Sequence, residues 1–121
     1  MLLVDAANVV GSRPTGWWRD RPGAARHLVE QIRTAAAASR LPTPVVVVLE
    51  GAARRGADEG LAAEVQVVHA PGGGDDTLVA LAARATSPVL LVSADRALRE
   101  RVRAHGGEAV GPSWLLGRLE D

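Results

Sequence analysis

Residues 2–11 read "LLVDAANVVG", an apolar run that ends on a carboxylate, and this pattern decides the fold. A continuous run of Leu and Val is typical of a parallel strand that is covered on both faces. Equivalent runs occupy residues 45–49 and 89–92. Helical spacing of apolar residues appears between and after these runs, for example at about residues 76–85 and 95–105. The alternation predicts a three-layer α/β/α fold with a mainly parallel sheet.

Two further strand candidates are less apolar than the first three. Residues 64–70 ("EVQVVHA") contain Gln66, and residues 108–110 ("EAV") form a very short run, so both are predicted to be edge strands. This places five strands in the order 3-2-1-4-5, because the order 2-1-3-4-5 would expose "VVVVL" (residues 45–49) at an edge. In the predicted order the chain reverses between strands one and four. Ligands of open α/β sheets bind beside such a reversal, beyond the carboxyl ends of the strands.

The helix signals differ between the two ends of the chain. After Asp20, Pro22 suits the first turn of a helix, and apolar residues then recur at helical spacing. Residues 114–116 ("WLL") indicate a terminal helix that packs against the sheet. No helix signal begins at Ala6, so we expect Asp5 to end a strand without capping a helix.

The composition excludes several classes of protein. The length fits a single domain, and residues 1–121 are interpreted as one. The chain has no cysteine, which rules out disulfides and thiolate metal sites, and its net charge of zero argues against a generally basic nucleic-acid-coating protein. All 14 basic residues are arginine, and the missing lysine excludes a P-loop and a receiver domain. The glycine motif of dinucleotide folds and the G-x-S-x-G nucleophile motif are also missing.

The N-terminal sequence carries no sign of membrane association. No stretch approaches the ~20 apolar residues that span a bilayer. No basic segment precedes the first apolar run, and Asp5 interrupts the position that the apolar region of a signal peptide would occupy. We therefore expect a cytoplasmic protein without membrane contact.

Acidic residues follow the first four predicted strands. Because the carboxyl ends of parallel strands share one edge of the sheet, these side chains are expected at the same edge. Two carboxylates ~6 Å apart repel by about 3 kcal/mol at an effective dielectric of ~20, and a divalent cation removes this cost. Oxygen ligands without cysteine suit Mg²⁺ or Mn²⁺, which can activate water and neutralise the charge of a phosphodiester. The acidic residues are Asp5, Glu50, Asp75, Asp76 and Asp95.

A structural role for three of these acids is the alternative interpretation. Asp75, Asp76 and Asp95 also stand where a helix N-cap or a first-turn acid belongs, and a cap stabilises a helix by roughly 0.5–2 kcal/mol. The shared edge of the sheet favours a functional site, but each acid taken alone leaves the structural role open.

Three motifs give the chain a resemblance to the PIN-like nuclease superfamily, in particular to its NYN branch. They are "VDAANV" at residues 4–9, "GGGDDTLV" at residues 72–79 and "VSADRAL" at residues 92–98, and together they span nearly the whole chain. The resemblance implies metal-dependent hydrolysis of RNA with Mg²⁺ or Mn²⁺ as cofactor.

The resemblance also implies roles for individual residues. Asp5, Asp76 and Asp95 would be the principal metal ligands or their water-bridged partners, and Asp75 would be a further ligand. Asn8 and Ser93 would orient the metal shell or the substrate. Many PIN nucleases carry one more acid nearer the middle of the chain, for which Glu50 is the best candidate and Glu59 and Glu64 are alternatives. The number of ions, one or two, depends on this acid.

A loop with two adjacent tryptophans supplies the second distinctive chemistry. Trp17 and Trp18 stand among Arg13, Arg19 and Arg21, and such aromatics can stack on unpaired bases while the arginines bind phosphates. Core or lid packing is the alternative, because the chain has no Phe or Tyr.

A third arginine group follows Asp95. Arg96, Arg99 and Arg103 share one helical face that could line a phosphate path, although a solvated face explains the same pattern.

Three functional hypotheses follow from the sequence. The leading one is a small metal-dependent ribonuclease. The second is a PIN-like module with weak or no catalysis that binds RNA or a protein, and the third is a toxin-type PIN nuclease held by an antitoxin. A homodimer and a regulatory protein partner both stay open.

Overall fold

The computed structural model describes residues 1–120 as one sheet of six strands with helices on both faces. The strands are β1 Leu2–Asp5, β2 Val45–Leu49, β3 Gly60–Ala62, β4 Val65–His69, β5 Leu90–Val92 and β6 Glu108–Val110. The α-helices are α1 Ala6–Gly11, α2 Arg21–Ala37, α3 Gly74–Arg84, α4 Arg96–Ala104 and α5 Pro112–Leu119. Two 3₁₀ segments complete the chain, η1 Trp17–Arg19 and η2 Gly51–Gly56. None of the helices formed by residues 1–120 has the length and hydrophobicity that a membrane crossing requires.

The strand order in the sheet is β3-β4-β2-β1-β5-β6. The relative order of the five predicted strands is confirmed, and all of their pairings are parallel. The predicted number of strands is wrong, because β3 adds an antiparallel strand beside β4. β3 is a three-residue, fully exposed segment, "GLA", which has no hydrophobic period to predict it. The prediction that residues 64–70 form an edge strand is wrong for the same reason: β4 lies one position inside the edge, which β3 occupies.

Alternating side chains of the central strands build two hydrophobic cores. Leu2 and Val4 pack with α1, α2 and α5 on one face of the sheet. Leu3 packs with α3 and α4 on the other face. β1 is buried along its whole length, as its continuous apolar run predicts, and it therefore fixes the position of the residue that ends it.

The expectation that no helix begins at Ala6 is wrong. α1 starts directly after β1, and the Asp5 carboxylate is its N-cap, accepting a hydrogen bond from the backbone N–H of Asn8 at 3.3 Å. The short helix buries Ala6, Val9 and Val10, so packing stabilises a segment whose own length is too short for an independent helix.

The other predicted helices are present with small shifts in their ends. The helix expected after Asp20 is α2, whose N-cap is Asp20. α3 begins at Gly74, two residues before the predicted start, so Asp75 and Asp76 lie in its first turn and cap nothing. The terminal helix is α5.

Candidate active site

Asp5 is the most deeply buried acid among residues 1–120. Its side chain is only 5% exposed at the carboxyl end of the central strand β1. One carboxylate oxygen, Oδ2, accepts a hydrogen bond from the hydroxyl of Ser93 at 2.8 Å. The other, Oδ1, accepts the N-cap bond from Asn8. Two neighbouring elements therefore hold the carboxylate in one orientation.

Asn8 and Ser93 connect α1 to the segment between β5 and α4. The side-chain oxygen of Asn8 accepts a hydrogen bond from the backbone N–H of Ala94 at 2.8 Å. Ser93 Oγ accepts one from the backbone N–H of Asp95 at 3.1 Å while it donates to Asp5. Asp95 in turn caps α4 by accepting from the backbone N–H of Leu98 at 3.0 Å. This network fixes Asp95 relative to Asp5.

Glu50 joins the end of β2 to the start of α3. Its Oε2 accepts a hydrogen bond from the backbone N–H of Gly74 at 3.1 Å. A Cβ added at Gly74 would lie 3.0 Å from Glu50 Oε1, so glycine gives the carboxylate room at this helix start. Since Gly74 immediately precedes Asp75, the bond also sets the position of that acid.

Electrostatic repulsion links the acids at this edge of the sheet. Burial raises the pKa of Asp5, the hydrogen bonds from Ser93 and Asn8 oppose that rise, and the charges of Asp75 and Glu50 add to it. Partial burial also raises the pKa of Asp75; the charges of Asp95 and Glu50 contribute next, the charge of Arg101 opposes the rise, and that of Asp76 adds to it. The four residues Asp5, Glu50, Asp75 and Asp95 are called the acidic cluster below.

Asp76 differs from the acids of the cluster in being paired with an arginine. Its Oδ1 accepts a hydrogen bond from Arg101 Nη2 at 2.9 Å, and its side chain is 90% exposed. Consecutive helical residues point in directions about 100° apart, so Asp75 and Asp76 leave the first turn of α3 in different directions. The charges of Asp95, Glu50 and Asp76 all act on Asp75.

The donor chemistry of the acidic cluster suits a hydrated divalent cation. None of its four carboxylates forms an ion pair with an arginine within residues 1–120. In that same range, no group of three or more acidic or histidine side chains is arranged to hold an ion directly. Mg²⁺ is commonly bound through one or two carboxylates while it keeps several waters, and its ligands are hard oxygens. An ion at this cluster would therefore have to be held partly through water.

The two adjacent tryptophans have different environments. Trp17 is half-buried against the core, whereas Trp18 is 57% exposed. Their rings meet edge to face, with centroids 6.0 Å apart. The guanidinium of Arg19 lies 5.8 Å from the Trp18 ring, and that of Arg21 lies 5.5 Å from the Trp17 ring. The structure thus brings two of the three loop arginines to the aromatic pair.

The remaining predicted RNA-binding arginines lie elsewhere. Arg13 is half-buried and donates a hydrogen bond to Gln31 at 2.8 Å. Arg96 is exposed on α4 next to Asp95, where its guanidinium lies 3.8 Å from Glu100. Arg99 donates to the backbone oxygen of Ser93 at 2.6 Å and so supports the loop of the acidic cluster.

A cavity of about 320 Å³ lies between the acidic cluster and the tryptophan loop. Glu50 lines one side, Trp17 and Arg21 line another, and alanine and valine side chains of α1 and α2 form much of the rest. An adjoining cavity of about 540 Å³ is lined by Trp18, by Arg19 and Arg21, and by Arg55 of η2. The sequence interpretation missed Arg55; the adjacent arginines in "GAARRG", directly after Glu50, were its only signal.

Comparison with solved structures shows that this fold occurs in a known protein. The chain is similar to Rae1 (YacP) from Bacillus subtilis. The match has a TM-score of 0.77 and 18% sequence identity, and it covers 99% of this chain and 73% of the Rae1 chain. A mutant form of Rae1 matches with a TM-score of 0.71 and 19% identity over 98% of this chain and 73% of the other. At these identities the likeness shows the fold. No protein-family model and no curated protein matches the sequence.

Proposed function

We propose that this protein is a PIN-like, NYN-type ribonuclease that hydrolyses RNA phosphodiester bonds with the help of Mg²⁺ or Mn²⁺ held at the acidic cluster. The single observation that carries the proposal is the acidic cluster itself. Four carboxylates from the ends of three parallel strands and the start of α3 share one edge of the sheet, where burial and mutual repulsion raise the pKa of Asp5 and Asp75. Folding alone gives no reason to accumulate such repulsion.

The location of the cluster supports the same proposal. β1 and β5 are adjacent parallel strands, and the direction in which successive strands are added to the sheet reverses between them. Ligands of open α/β sheets bind beyond the carboxyl strand ends at such a reversal. Asp5 and Asp95 stand on its two sides, which is the position expected for substrate-facing groups.

The residues of the cluster have distinct roles in this proposal. Asp5, Asp75 and Asp95 would hold the ion directly or through water, and Glu50 would complete the set. When bound, the ion supplies activation of water and neutralisation of the charge that develops on the phosphodiester. Ser93 holds Asp5 in its orientation, and Asn8 holds the loop that carries Ser93 and Asp95.

Asp76 provides the sharpest comparison for an experiment. The resemblance to PIN-like nucleases nominates it as a principal ligand, whereas its exposed carboxylate is paired with Arg101. The neighbouring variants Asp75→Asn and Asp76→Asn remove the same charge from the same helical turn. Both variants and the unmodified protein should be incubated with mixed single-stranded and structured RNAs in Mn²⁺ and in chelator.

The proposal predicts cleavage that requires Mn²⁺, that is lost in Asp75→Asn and that largely persists in Asp76→Asn. Equal loss in both variants would restore Asp76 to the metal site. Cleavage that is unaffected by chelator would remove the basis of the metal-dependent mechanism.

A further inference from the structure

The cavity beside Glu50 has mostly apolar walls, which metal binding at the acidic cluster does not require. Ala6, Val10 and Ala25 contribute apolar surface, and the half-buried ring of Trp17 contributes an aromatic wall. Its volume of about 320 Å³ opens directly onto the Glu50 carboxylate. An apolar cavity with an aromatic wall takes a flat ring more readily than it takes a charged phosphate.

Positive charge gathers immediately outside this cavity. Arg21 lines both the cavity beside Glu50 and the adjoining cavity, which is also lined by Arg19 and Arg55 and by one acid, Asp20, whose carboxylate caps α2. The three side chains are exposed, and none of them forms an ion pair within residues 1–120. The chain as a whole has no net charge. The three arginines around this opening therefore form a local positively charged patch.

We propose that the cavity beside Glu50 binds one unpaired base of single-stranded RNA, and that Arg19, Arg21 and Arg55 bind phosphates of the nucleotides that continue from it. This inference rests on the proposed function, because it specifies the substrate class of the same acidic cluster. Aromatic rings stack on bases of any sequence, and arginines beside them contact the backbone. The arrangement therefore selects for an unpaired strand and carries little sequence preference.

The geometry disfavours a duplex. A paired base is stacked on both faces within its helix and reaches a cavity only after it leaves the stack. The walls of the cavity come from α1, α2 and η2, which are separate elements packed on the same core face, so the base must enter between them. A single strand meets this requirement without disrupting base pairs.

Binding in the presence of chelator tests the inference without cleavage. The probe is a fluorescently labelled single-stranded RNA of mixed sequence, compared with the same RNA annealed to its complement, and the readout is fluorescence anisotropy. The unmodified protein should bind the single strand more tightly than the duplex. Trp17→Leu should weaken single-strand binding by about 5- to 150-fold, which is the range measured when a stacking aromatic is removed.

Arginine variants give an independent measurement that does not depend on the partly buried Trp17. Arg21→Gln and Arg55→Gln alter exposed side chains and should each reduce the slope of log affinity against log salt by about 0.7. Arg84→Gln, at the far end of α3, and Trp114→Leu, whose ring stacks on Arg118 at 3.9 Å, line neither cavity and serve as matched controls. Both controls should leave binding unchanged.

The outcomes separate this inference from the proposed function. Single-strand binding that depends on Trp17 and Arg55, without any Mn²⁺-dependent cleavage, supports the inference and overturns the proposed nuclease. Cleavage by a folded Trp17→Leu variant with unchanged RNA affinity overturns the inference alone. Duplex binding as tight as single-strand binding, or arginine variants whose salt dependence equals that of Arg84→Gln, also overturns it.

Discussion

Replacing Asp5 with asparagine separates a functional carboxylate from a structural one. Asparagine has nearly the same shape, keeps an oxygen that can accept the N-cap bond from Asn8, and removes the charge. The change therefore leaves the geometry of β1 and α1 in place. What it removes is the repulsion from Asp75 and Glu50 and the cost of burying a charge that is only 5% exposed.

The expected magnitude follows from opposing contributions. Two like charges about 7 Å apart repel by about 2 kcal/mol at an effective dielectric of ~20, and solvent screening reduces this for the exposed Asp75. Against this relief, the hydrogen bond from Asn8 weakens by about 0.5–1 kcal/mol when its acceptor becomes neutral. The amide NH2 that replaces Oδ2 cannot accept from Ser93, whose hydroxyl must reverse its role and accept instead, at a further cost of about 0.5–1 kcal/mol. These contributions nearly cancel, and relief of the cost of burying a charge favours the variant. We therefore expect Asp5→Asn to be as stable as the unmodified protein or to gain up to about 1 kcal/mol in the free energy of unfolding at neutral pH, or up to about 5 °C in Tm.

Thermal melting with and without Mn²⁺ is the assay. A cation that binds only the folded protein raises its Tm by an amount set by its affinity, and loss of Asp5 should reduce this increase. Asp5→Ala is the matched variant, because it also removes the cap and leaves Ser93 without its acceptor, and it should lose about 1–3 kcal/mol. If Asp5→Asn is destabilised while its response to Mn²⁺ is intact, the carboxylate is a helix cap and the reasoning is refuted.

Three further predictions concern the same network. Melting curves across a range of pH should show Asp5→Asn gaining stability relative to the unmodified protein as pH rises above the ordinary aspartate pKa of 3.8, and the difference should level off above the raised pKa of Asp5. The reason is that a carboxyl group whose pKa is raised in the folded state stabilises the fold only while it is protonated. Ser93→Ala should lower the free energy of unfolding by about 1–3 kcal/mol in denaturant titrations, since buried Asp5 loses its hydroxyl donor. Asp76→Asn removes only an exposed ion pair with Arg101 and should change stability by less than about 1 kcal/mol, as measured by the same titrations.

The sequence predicts which acids lie at the carboxyl edge of the sheet, because the hydrophobic runs show where the strands end. Asp5 and Glu50 directly follow buried runs, and Asp95 follows one after two residues, so parallel pairing alone brings them to one edge of the sheet. The order of the five main strands follows from how apolar each run is. Both the strand ends and the strand order can be read from the hydrophobic pattern of the sequence.

What the sequence could not predict depends on tertiary contacts. α1 has six residues and is stabilised by packing, so Asp5 acts as strand end and helix cap at once. Whether Asp76 meets Arg101 depends on the packing of α3 against α4, a contact between segments far apart in sequence. Arg55 joins the tryptophan loop only through the packing of η2 against α2, which no local pattern reveals.

Metal-dependent RNA cleavage by the unmodified protein and by Asp5→Asn tests the central claim most directly. Both proteins, shown to be folded by their melting curves, should be incubated with mixed single-stranded and structured RNAs in Mn²⁺ or in chelator, and the products separated on a denaturing gel. The account predicts products only from the unmodified protein and only with Mn²⁺. Equal cleavage by Asp5→Asn, or cleavage by the unmodified protein in chelator at the rate seen with Mn²⁺, would contradict it.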